Sequence, residues 1–155
     1  MLYSSQTLVF PASVRDEVLD QHRQLRTLMT VLLDRCTLDP GHEGASDRPL
    51  DDLVRDLNRS FGAHLLFEEQ ALAPVLAVVD HWGPERVRAL HEDHARQRQE
   101  FATLIEALDG SWSTGHLGQA ILKLVTDLRR DMDEEEHGCL RPSLMGASFL
   151  EVQRR

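Results

Sequence analysis

The sequence predicts an all-α protein, a single up-and-down antiparallel four-helix bundle. Apolar residues recur at three- and four-residue steps, no stretch alternates with the two-residue period of a strand, and Gly and Pro cluster at only three places. Those clusters, at residues 38–49, 81–84 and 109–115, divide the chain into four helical stretches joined by short connections, which favours antiparallel neighbours.

Helix A is expected over residues 14–37, with Ser13 as N-cap and an apolar stripe of Val18, His22, Leu25, Met29 and Leu32. Helix B should run over residues 49–80, opening at Pro49 after Asp47 and Arg48. Its stripe is Leu50, Leu53, Leu57, Phe61, His64, Glu68 and Leu72, and Pro74 is expected to kink it or end it early. Helix C should begin at Pro84 and stop near Asp109 and Gly110, with Val87, Leu90, His94, Phe101, Leu104 and Leu108 inward. Helix D should span residues 116–138, with Leu117, Ile121, Leu124, Leu128, Asp131 and Glu135 on its stripe. Residues 1–12 then form an extension, 13–145 the bundle and 146–155 a tail.

A chain of 155 residues can bury enough apolar surface to fold without disulfides. Its formal charge of -9 argues against a phosphate-binding surface, so no nucleic-acid partner is expected. No basic stretch followed by an apolar run opens the chain, and no run of about 18 apolar residues occurs, so a cytoplasmic protein without a membrane partner is expected. Cys36 and Cys139 read as a pair of reduced thiols.

Every core-facing stripe is interrupted by an ionisable residue. Three imidazoles, His22, His64 and His94, and three carboxylates, Glu68, Asp131 and Glu135, would each cost several kcal/mol of desolvation if left unpaired in one core. A polyvalent cation removes that cost. Depth also matches within each hairpin: His22 lies 15 residues before Thr37 and His64 lies 15 after Pro49, while His94 lies 15 before Asp109 and Asp131 lies 15 after His116. His64/Glu68 and Asp131/Glu135 have i, i+4 spacing, which stacks both side chains of each pair on one helix face. The chain thus reads as two related hairpins around two metal ions, three carboxylates nearly balancing their charge. Mixed O/N donors suit iron first, then manganese or zinc. The alternative is an ordinary bundle with buried ion pairs.

With these residues in view, the sequence resembles the hemerythrin-like (HHE) family of four-helix di-iron proteins. The resemblance is carried by His22, the run His64-Leu65-Leu66-Phe67-Glu68-Glu69 continuing to Leu72 and Pro74, Glu92-Asp93-His94, and the late Glu135-Glu136 pair. It implies His22, His64, Glu68 and His94 as ligands, with Glu68 and Glu135 as candidate bridges. Helix D departs from the family pattern, with Asp131 where a histidine is expected, and helix C lacks an HxxxH pair. More anionic donors stabilise ferric iron, which argues against simple oxygen carriage. His91 reads as a surface residue or a hydrogen-bond partner rather than a ligand, and Glu69 and Glu136 as hydrogen-bond partners of ligand histidines, ranked below the six.

The function expected is binding of, or reaction with, a small oxidant (O2, NO or peroxide) in sensing or stress defence, with a separate protein or a second copy as partner. One alternative is a di-iron enzyme with ferroxidase or peroxidase-like activity; another is a metal that serves structure only. Tyr3, the only tyrosine, lies outside the stripes. Arg86, Arg88, Arg96 and Arg98 read as a solvated face of helix C that pairs with acids on B or D, Trp82 as an aromatic plug at the B–C corner, and His42, His81 and His116 as surface residues.

Overall fold

The computed structural model describes residues 6–37, 48–110, 113–146 and 150–153. Most of the first connection lies outside these residues, as do Tyr3 and His42. The long helices are α1 (Pro11–Thr37), α2 (Leu50–Phe67), α3 (Ala73–Val79), α4 (Gly83–Leu108) and α5 (Thr114–His137), and one π-helical turn, Glu68–Leu72, joins α2 to α3. α1 packs on α2 and α5, and α4 packs on α2, α3 and α5, the neighbour pattern of an up-and-down bundle.

The helix ends differ from expectation in ways that have local causes. α1 starts at Pro11, whose missing N–H costs nothing at the first helical position. Ser13 and Val14 both donate their N–H to the Phe10 carbonyl, so Ser13 lies inside the first turn and does not cap it. Pro74 neither ends nor interrupts the second rod. The chain passes it through the π turn, in which the Ala73 N–H reaches back five residues to the Glu68 carbonyl. α5 opens at Ser113, whose hydroxyl accepts from the His116 N–H. Gly110, at φ 123°, turns the chain out of α4 in a conformation that disfavours any side chain.

Trp82 is not a plug. It is 58 % exposed, because the corner closes backbone to backbone through buried Gly83, against the Leu76 and Ala77 carbonyls, leaving no room beneath for an indole. Strands, too, are present at the chain ends: β1 (Gln6–Val9) pairs antiparallel with β2 (Leu150–Gln153), Gln6 opposite Gln153. Four residues are too few to register as an alternating pattern. A short α6 (Pro142–Met145) adds Leu144 and Met145 to the core.

The core has two apolar parts. One gathers Leu25, Met29, Leu57, Phe61, Phe101, Leu128 and Met132. The other gathers Val14, Val18, Leu72, Leu76, Leu140 and Met145. Along α1, His22 separates Val18 from Leu25; along the second rod, Glu68 separates Leu65 from Leu72; along α5, Glu135 lies between Met132 and Leu140. A polar layer is therefore sealed between two greasy ones. The rod Leu50–Val79 is long and apolar enough by composition alone to cross a bilayer. In the bundle, Leu53, Val54, Leu57, Phe61, Leu65, Leu72, Val75 and Leu76 from it are buried core residues.

Candidate metal centre

The buried polar side chains among the described residues are His22, His64, Glu68, His94 and Gln97, all at most 3 % exposed. His22, His64, Glu68 and Glu135 each offer one donor atom to a common point, and these four atoms lie within 4.8 Å of one another. Two donors on opposite sides of an ion with bonds of about 2.1 Å stand at most about 4.2 Å apart, so small side-chain rotations suffice to close the site. The His22 and His64 rings sit 5.0 Å apart between centroids, at the same level in the bundle.

Three atoms of this group, His22 Nε2, Glu68 Oε1 and Glu135 Oε2, are buried without a well-formed hydrogen bond, although His22 Nε2 and Glu135 Oε2 face each other at 3.3 Å and Glu68 Oε1 lies 3.5 Å from His64 Nε2. A folded protein leaves few such groups, and three facing one point, two of them carboxylate oxygens, describe a cation position. Two imidazole nitrogens and two carboxylates are also the right chemistry for a borderline divalent metal.

Outer hydrogen bonds orient the donors. His22 Nδ1 donates to Glu136 Oε1 at 2.8 Å and His64 Nδ1 donates to Gln21 Oε1 at 3.0 Å, which leaves Nε2 of each ring bare toward the centre. His94 Nδ1 donates to Glu69 Oε1 at 2.9 Å. Glu136 is held in turn by Arg26 at 2.7 Å, and Glu69 by Arg98 at 2.8 Å. The two hairpins thus repeat one device, a histidine with an arginine four residues later on α1 or α4, both engaging the outer glutamate of the other hairpin. Arg98 pairs with an acid on helix B, as read from the sequence, whereas Arg26 went unassigned there, although the His-x3-Arg spacing at 22/26 and 94/98 signals it.

The two remaining expected ligands are placed otherwise. His94 Nε2 is not bare; it lies 3.0 Å from Glu68 Oε2, at hydrogen-bond distance. Asp131 accepts from Arg96 at 2.8 Å and from Gln97 at 3.1 Å and does not join the four-residue group. His91 is exposed, its ring 6.5 Å from that of His94.

Burial and charge set the protonation states. Desolvation, helped by the neighbouring His22 and His94, pushes His64 down to about 3, so it stays neutral. Desolvation, reinforced by the nearby Glu135, pushes Glu68 up to about 7 despite its bond to His94. His22 is opposed by burial yet ends raised, because Glu135 and Glu136 favour its charged form. His94 is raised the same way by Glu68 and Glu69. Arg98 and then His94 hold Glu69 at about 2, a permanent anion behind the His94 ring.

No curated protein and no solved structure matches the chain. The family model of the hemerythrin HHE cation-binding domain matches residues 13–141, from the first turn of α1 to just past α5. That span contains every residue of the cation position, and the chain belongs to the hemerythrin HHE cation-binding domain family.

Proposed function

We propose that the centre binds iron and reacts with a small oxidant, O2, NO or peroxide, in sensing or stress defence. The observation that carries this is the set of three orphaned donor atoms, His22 Nε2, Glu68 Oε1 and Glu135 Oε2, in a sealed layer of mixed imidazole and carboxylate donors. Iron bound there supplies a redox-active Lewis acid toward small oxidants. The chain's own part is to fix the His22 and His64 rings through Glu136 and Gln21 and to keep bulk water out with the apolar layers on either side.

Access supports a small reactant. A cavity of about 240 Å³ between α4 and α5 is lined by Leu76, Leu90, Asp131, Glu135 and Cys139 among others, and touches the centre at Glu135. It has room for a diatomic molecule or peroxide. Cys139 on its wall is pushed up to about 12 by burial, so it is a protonated thiol and not a nucleophile. A second reading, iron handling with ferroxidase chemistry, draws on the acidic side of the same cavity, where Glu134 and Glu135 would guide a cation inward beside Asp93 and Asp131, which Arg96 holds.

The test is elemental analysis and an absorption spectrum of anaerobically purified protein, before and after O2, NO or peroxide, beside Glu68→Ala and Glu135→Ala variants. Stoichiometric iron, absent from the variants, with new near-ultraviolet bands on oxidation is the expected result. Protein with no stoichiometric metal overturns the reading.

A further inference from the structure

We propose that this chain holds one divalent ion tightly, at His22, His64, Glu68 and Glu135, and that Arg96, by clamping Asp131, keeps a second metal position closed. The inference rests on the reading of the polar layer as a metal centre and concerns how many ions it takes.

The two hairpins are related in sequence, so the second position should be built from His94 and Asp131 together with the shared carboxylates. The side chains there are already engaged. The Arg96 guanidinium lies 2.8 Å from Asp131 Oδ2 and 3.2 Å from Asp93, and Gln97, 2 % exposed, donates to the same Asp131 oxygen at 3.1 Å. The corresponding residue of the first hairpin, His64, meets no cation; Gln21 accepts from its far nitrogen and its Nε2 faces the centre. His94 Nε2 is hydrogen-bonded to Glu68 Oε2 at 3.0 Å, whereas His22 Nε2 stands 3.3 Å from Glu135 Oε2 without hydrogen-bond geometry.

Charge gives the same count. Glu68 and Glu135 together balance one divalent ion. The third carboxylate, Asp131, is already balanced by Arg96, so a second divalent ion would leave about two uncompensated positive charges in a buried layer. Removing the guanidinium takes away the closest cation on Asp131 and leaves it the neutral Gln97 donor on Oδ2 and the exposed Arg130, 3.5 Å from Oδ1, which a buried divalent ion outcompetes. Arg96 is itself 39 % exposed, so it can be changed without opening the core.

The experiment is metal loading of the full chain with Mn2+ or Zn2+ alone, equilibrium dialysis, and ions counted per folded chain, with electron paramagnetic resonance of the manganese form. The wild type should retain one ion and give the spectrum of an isolated Mn2+. Arg96→Gln and Arg96→Leu should each retain two, with the broadened spectrum of a coupled pair. Circular dichroism confirms that both variants fold, and either one alone decides. Two ions of comparable affinity in the wild type, or a single ion in a folded Arg96 variant, overturns the proposal and leaves the metal centre standing. No retained ion in any form overturns both.

Discussion

Glu68→Gln separates the cost of the empty centre from its use. Glu68 is fully buried, beside Glu135, and its carboxyl is raised from 4.5 to about 7. At about 1.4 kcal/mol for each tenfold change in the proton equilibrium, its ionised form costs the metal-free fold roughly 3 kcal/mol. Because the folded value lies above the unfolded one, the cost is complete above about pH 7 and fades as pH falls toward 4.5. A glutamine keeps the volume, removes the charge, and can donate to His94 Nε2 while His94 Nδ1 still donates to Glu69. Metal-free Glu68→Gln should therefore be more stable than metal-free wild type at pH 8, by about 1–3 kcal/mol after imperfect amide pairing. For a chain of this length that is roughly 2–4 °C in Tm per kcal/mol. The gain should shrink to near nothing at pH 5. His64 titrates in both proteins and cancels from the difference, whereas His94 loses the support of Glu68 in the variant, which lowers the variant's gain further as pH falls. With Zn2+ or Mn2+ at about 1,000 times Kd, the order reverses: the wild type gains about 4.1 kcal/mol and the variant gains little. Paired melts at pH 8 and pH 5, with chelator and with metal, read all of this. A variant that is destabilised without metal at pH 8, or stabilised by metal as much as wild type, would refute the argument that the layer is built around a cation.

Acid should weaken metal binding from above the ordinary histidine range. His22 is raised above 6.5 and Glu68 stands at about 7, so protons compete with the ion for Nε2 and Oε1. Apparent Zn2+ affinity, read by chelator competition, should fall more than tenfold between pH 8 and pH 6, and a flat profile would count against these donors. Gly83→Ala tests the corner. A Cβ there would press on the Leu76 and Ala77 carbonyls, 2.5 Å from the latter, and neither backbone oxygen can move freely. A loss of about 1–3 kcal/mol is expected in thermal or urea unfolding with metal stoichiometry retained, and a neutral result would show that the corner relaxes.

Periodicity reports which face of a helix is wet, and that is why the stripes and the polar layer were legible. His22, His64, Glu68 and His94 interrupt apolar repeats and are buried. What periodicity does not report is where a long side chain on a neighbouring face goes. Arg96 lies two residues from His94, about 200° around α4, and its pairing with an acid on B or D was legible, but not that its flexible stem would bring the guanidinium to Asp131, an expected ligand. Arg26 escaped for the same reason, and Arg98, read as pairing with an acid on B or D, gave no sign of its link through Glu69 to His94. Pro74 misled differently, because a helix can absorb a proline by widening one turn, and the residues of such a turn carry no distinctive composition.

The π turn also accounts for a difference between two glutamate pairs that the sequence writes alike. Glu68-Glu69 stands at the start of a widened turn within a continuous 30-residue rod, with Leu72 and Leu76 buried beyond it. Its backbone is braced on both sides, and Glu68 is wholly inaccessible. Glu135-Glu136 stands in the last turn of α5, where the Gly138 N–H closes on the Glu134 and Glu135 carbonyls and the chain turns away. The Glu135 side chain is 20 % exposed there and meets the cavity. Helix ends open more readily than interiors. The pair of carboxylates is therefore unequal by construction, with Glu68 a buried wall of the centre and Glu135 the side that opens onto the cavity.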